Sequence, residues 1–108
     1  MNTNRLALLQ EFYQEDPNDP FNAYALAMEY LNHNPTKAWH FFDELLVKHP
    51  DYLPTYYQAA ELMAAVGKRE QAKEIYEKGI ILAQQSNQPK ALGELRSAYE
   101  IFLMDEEE

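Results

Sequence analysis

His40 and Glu44 stand four residues apart, a spacing that puts both on one face of a helix and offers a divalent cation an imidazole nitrogen and a carboxylate. Two ligands from one helix do not complete a site, and the sequence marks no third, so no metal is expected. Asp43 adjoins Glu44 and points in a different direction on a helix, which denies the pair the facing geometry of a general acid and base. The chain has no cysteine, hence no thiolate nucleophile, thiolate metal site or disulfide. It contains no glycine-rich phosphate loop, nucleophile elbow or dinucleotide fingerprint. No enzyme activity, catalytic residue or cofactor is therefore expected.

Charge narrows the partners. The 108 residues carry 18 acidic side chains against 9 basic ones, a net charge of −9. Four of the acids form the closing "DEEE", residues 105–108, which reads as a solvated, frayed tail. The balance stays negative without it, and the densest basic stretch, "GKREQAK", is interrupted by Glu70. Phosphate backbones and anionic lipid would be repelled, so neither nucleic acid nor a membrane is expected as a partner. No apolar run approaches the roughly 20 residues of a membrane helix, and the N-terminus lacks the pattern of a signal peptide. A cytoplasmic protein of one domain, residues 1–108, is the expectation.

The elements that would position these side chains are all helical. Only three glycines occur, no alternating run is long enough for a strand, and the segments between prolines carry apolar residues at helical spacing. Leu6, Leu9 and Phe12 or Tyr13 stripe a first helix over 3–15, which "EDPNDP" ends. Asp19 before Pro20, and Asn34 before Pro35, read as caps followed by first-turn prolines, opening helices over about 20–32 and 35–48. A fourth helix starts near Leu53 and Pro54 and halts at Gly67, a left-handed C-cap. A fifth covers about 68–85 until "SNQP", and a sixth runs over 89–104.

Two of these segments share a spacing. "AWHFFDELLVKHP" (38–50) and "AKEIYEKGIILAQ" (72–84) pair Ala38 with Ala72, Phe42 with Tyr76 and Leu46 with Ile80, an offset of 34 residues. Residues 53–86 place Tyr56, Ala59, Ala60 and Met63 on a first helix, Gly67 in the turn, and Ala72, Tyr76 and Gly79 on a second. Residues 20–50 repeat this with Tyr24, Ala27, Met28 and Leu31, then Ala38, Phe42, Leu45 and Pro50, the turn being two residues shorter. In these positions the chain resembles the tetratricopeptide repeat (TPR) family, whose unit is a 34-residue helical hairpin. Met28 departs from the small residue usual in the family, and Gln84 from its closing proline.

The resemblance implies an all-α fold of antiparallel hairpins stacked as a short right-handed superhelix of about six helices. A lone N-terminal helix (3–15) and a capping helix (89–104) would flank two repeats (20–50 and 53–86), with Arg96 charged where no further helix follows. A small stand-alone protein, complete from its methionine, is implied. Its first helices would line a concave groove with Asn22, Ala25, Glu29 and Asn32, then Tyr57, Glu61 and Ala64, then Lys90, Gly93, Ser97 and Glu100. Asn22, Glu29, Asn32, Tyr57, Glu61 and Ser97 are the candidate partner-binding residues. Tyr57 could hold a lysine stem or stack on an arginine while Glu29 and Glu61 meet its charge. Equally, those carboxylates are wet helix faces and Tyr57 is partly buried.

The implied function is recognition without chemistry, with a peptide or helix of a partner protein, basic in character, lying in a mildly acidic aromatic groove. Ala25 and Glu29 stand where the chaperone-binding branch of the family begins its clamp with a lysine and an asparagine, so acidic C-terminal tails should not bind. A different reading is a structural homodimer without a peptide ligand, joined through Ile101, Phe102 and Leu103 of the last helix. Trp39 either lies over the N-terminal helix or joins an exposed apolar patch.

Overall fold

A proline at the first position of a helix sacrifices an amide that would be unpaired there anyway, and its ring presets φ. A computed structural model of the chain describes residues 3–106. Proline opens four of its helices: α2 (Pro20–Tyr30), α3 (Pro35–Lys48), α4 (Pro54–Ala65) and α6 (Pro89–Glu106). With α1 (Thr3–Glu15) and α5 (Arg69–Gln85) these give six helices and no strand among the described residues, an all-α helical repeat.

Caps fix the ends. Asp19 Oδ1 accepts from the Phe21 amide at 3.0 Å, and Asn34 Oδ1 from the Lys37 amide at 3.2 Å. α4 and α5 leave by the same left-handed route. Gly67 has φ +82°, and the Lys68 amide donates back to Met63 O at 2.8 Å. Asn87 has φ +55°, and the Gln88 amide donates to Ala83 O at 2.9 Å. α2 stops at Tyr30, short of the expected Asn32, because the His33 and Asn34 amides both turn back onto Tyr30 O. α6 continues through Asp105 and Glu106 of the expected tail, since glutamate is a good helix former and nothing there breaks the helix. Glu107 and Glu108 lie outside the described residues.

The chain forms two compact units, Met1–Thr55 and Tyr56–Glu108. In the first, α2 and α3 pair, with Ala27 and Ala38 fully buried alongside Leu26, Phe42 and Leu45. Alanines at such a seam let two backbones approach closely. α1 packs against α2, where Gln10 Nε2 donates to Tyr30 Oη at 3.0 Å and Arg5 pairs with Glu29. Tyr13 turns inward onto Phe41, ring centroids 5.4 Å apart, and Phe41 stacks on Tyr30. Phe12 is exposed, which settles which of the two residues completes the α1 stripe. Trp39 is half-buried.

In the second unit Ala59, Ala60 and Ala72 are fully buried, and Gly79 lies against Tyr56. The core centres on Tyr76, whose ring meets Tyr99 and Phe102 at 5.6 and 5.5 Å. Arg69 crosses the Phe102 ring at 4.3 Å and donates to Phe102 O at 3.0 Å, holding α6 onto the start of α5. Phe102 is therefore core, whereas its neighbour Ile101 is exposed.

Candidate protein-interaction groove

Along the second unit, one side of α4 and one side of α6 leave an open groove of about 590 Å³. Tyr57 forms its α4 wall; Pro89, Lys90, Gly93, Glu94, Ser97, Ala98 and Ile101 line it from α6. Ala98 and Ile101 also line a smaller hollow of about 250 Å³ that contains Glu61, Ala64, Arg69 and Asp105. The two together follow α6 from Pro89 to Asp105.

The groove has an aromatic wall and a mixed charged lining, with Lys90 and Glu94 in the groove and Glu61, Asp105 and Arg69 in its continuation. Burial, then the Glu61 and Glu94 carboxylates, push the Tyr57 phenol above its ordinary range and keep it neutral. Glu61 also accepts from Tyr76 Oη at 3.2 Å, so the groove carboxylate is oriented from the core side. Burial and the same carboxylate raise Tyr76 as well. Gly93 is the low point of the α6 side: a methyl group added there would meet nothing within 4 Å.

Of the six candidate residues, Tyr57 and Ser97 line one groove and Glu61 the hollow that continues it. The remaining three belong to the first unit. Asn22 uses its amide nitrogen on Phe12 O and Asp16 O, at 3.2 and 3.0 Å, tying the exit of α1 to the start of α2. Glu29 receives Arg5 Nε at 2.8 Å and Nη2 at 3.2 Å, and its side chain is only 8% exposed. Both are committed to internal bonds, which sequence spacing did not reveal. Asn32 is exposed in the turn after α2. Ala25 is half-buried, and Glu100 is an exposed α6 residue outside the groove lining. Glu94, Ala98 and Ile101 were missed. Glu94 and Ile101 are the i+4 neighbours of Lys90 and Ser97, and Ala98 is the i+4 neighbour of Glu94, so all three follow from extending that helical row.

His40 and Glu44 do not converge on a shared ligand. The Glu44 carboxylate accepts from Tyr13 Oη at 2.7 and 2.9 Å, and the His40 ring lies edge-on to Phe41 at 5.1 Å. Among the described residues no group of three or more His, Cys, Asp or Glu side chains is placed to hold a metal, and no helix is long and apolar enough to cross a membrane.

The sequence matches no protein-family model, and no curated protein matches it. Solved structures do. A solution NMR structure of a tetratricopeptide repeat domain protein from Salinibacter ruber is 38% identical, covers 81% of this chain and 89% of its own, and superposes with a TM-score of 0.75. A crystal structure of a tetratricopeptide repeat domain protein from the same organism is 38% identical over 78% of this chain and 94% of its own, with a TM-score of 0.74. With that identity over most of both chains, and with buried alanine seams in both hairpins, this chain belongs to the tetratricopeptide repeat family.

Proposed function

We propose that the chain is a non-catalytic interaction module that takes a peptide or helix of a partner protein along the α4–α6 groove. Repeats of this family generally serve protein interaction. The observation that supports this site is the groove itself: about 590 Å³, open along one side, with a half-buried tyrosine as its wall and Gly93, Ser97 and Ala98 among the residues opposite. Such a trough suits a side chain laid across an aromatic face, with main-chain contacts on the low side. Tyr57→Ala combined with Glu61→Lys should abolish capture of the partner while circular dichroism stays that of the parent. Retained capture by that folded variant would remove the groove from consideration.

A second reading, self-association, draws on Ile101 and Met104, which are 62% and 65% exposed on α6. Ile101→Asp with Met104→Asp should then convert a dimer to a monomer in sedimentation. A parent that is already monomeric at high concentration would end this reading.

A further inference from the structure

The α4–α6 groove has features that its own packing does not require, and these define an occupant. We infer, building on the reading above, that the groove takes an extended peptide whose lysine or arginine side chain lies over Tyr57, its cation between Glu61 and Glu94, while its main chain passes close to Gly93.

Glycine in a helix interior costs about 1 kcal/mol relative to alanine. At Gly79 that cost has an internal cause, since a methyl group would stand 2.7 Å from Tyr56 Cβ. At Gly93 it has none, because the added methyl would point into open space in the groove. The missing side chain serves something outside the chain, and a ligand backbone in close approach is what glycine admits.

Charge selects the side chain. Tyr57 is a neutral ring with two carboxylates near its hydroxyl, Glu61 on its own helix and Glu94 across the groove. An aliphatic stem over the ring with a cation at its edge satisfies both walls, by apolar and cation–π contact on one side and charge-assisted hydrogen bonds on the other. An acidic side chain would meet like charges, and an apolar one would gain nothing from the two carboxylates. Asp105 extends the acidic wall beyond Ala98 and Ile101. Two cations also line the groove and its continuation: Lys90, one helical turn before Glu94 at the start of α6, and Arg69, engaged with Phe102. The lined stretch from Pro89 to Asp105 is about 24 Å of helix, matched by about seven residues of extended chain.

Selection from randomised heptapeptides displayed on phage tests this on the intact protein, followed by calorimetry and amide-shift mapping with the selected peptide. Selected sequences should fix lysine or arginine at one position and shift resonances of Tyr57, Gly93, Glu94 and Ser97. Glu94→Gln should weaken the peptide about tenfold, as loss of one charge-assisted contact does. Gly93→Leu should abolish binding without lowering the melting temperature. Peptides that bind this groove with no basic preference, or that ignore Glu94→Gln, overturn the inference and leave the groove reading standing. Peptides that bind elsewhere, or none at all, overturn both.

Discussion

A methyl group added at Gly79 of α5 would stand 2.7 Å from Cβ of Tyr56 on α4, closer than side chains pack. The obstacle is the root of the tyrosine and not its mobile tip, so the backbones would have to separate. Gly79→Ala should therefore destabilise by about 1–3 kcal/mol, overpacking outweighing the gain in helix propensity. Urea denaturation measures it. A neutral or stabilising result would show that α4 and α5 are less closely apposed.

Gly93→Ala should do the opposite. With nothing within 4 Å of the new methyl, only the propensity gain of about 0.5–1 kcal/mol remains. A rise in the denaturation midpoint is expected, and a fall would reveal a hidden steric constraint on α6.

The two left-handed helix exits separate in the same way. Gly67→Ala places a Cβ at φ +82° and should cost about 1–2 kcal/mol. Asn87→Gly relieves a φ of +55° and should gain a few tenths to about 1 kcal/mol. Measured together, the pair distinguishes backbone strain from lost side-chain contacts.

Arg5→Ala should expose the difference between a shielded and an open ion pair. It removes both donors from Glu29, whose side chain is 8% exposed, and should cost about 1–2 kcal/mol. Lys78→Ala, in a pair with both side chains 64% exposed, should leave the melting temperature unchanged. Adding Glu29→Gln to Arg5→Ala should restore part of the loss, and a double-mutant cycle reads the coupling.

Stability should fall on the alkaline side. Burial, then the hydrogen bond to Glu44, pushes Tyr13 up to about 12, and burial raises Tyr24, Tyr52, Tyr57 and Tyr76. The folded state thus holds these phenolic protons more tightly than the unfolded chain, whose tyrosines ionise near 10. Their contribution is complete below about pH 10 and is lost as pH rises toward 12 and beyond. Melting temperatures between pH 9 and 12 should decline, and Tyr13→Phe should make the decline shallower. A flat profile would contradict the burial of these phenols, and an unchanged slope in Tyr13→Phe would contradict the raised Tyr13.

Local chemistry made much of this architecture legible. Asp19–Pro20 and Asn34–Pro35 marked helix starts because cap and proline act on their nearest amides, and Gly67 marked an end because few residues accept its φ. Ala27, Ala38, Ala59 and Ala72 marked the seams because close backbones tolerate little else. Asn87 was legible only as part of a breaker, since asparagine enters the left-handed region less habitually than glycine.

What stayed hidden depends on docking. Arg5 meets Glu29 across 24 residues of sequence, and only the seating of α1 on α2 brings them together. Within Ile101–Phe102–Leu103, hydrophobicity alone could not tell which side chain enters the core; Tyr76, Tyr99 and Arg69 choose Phe102. Phe102→Asp would consequently unfold the second unit and say nothing about dimers. The groove was half readable for a similar reason, because one helical row was counted and its i+4 row, with Glu94 and Ile101, was left out.

The lone tryptophan, Trp39, belongs to the Met1–Thr55 unit. Indole emission during denaturation thus watches that half of the molecule, whereas far-ultraviolet dichroism averages every helix. Superimposed curves would mean one cooperative melt; parted curves would assign each half its own midpoint, with no label needed.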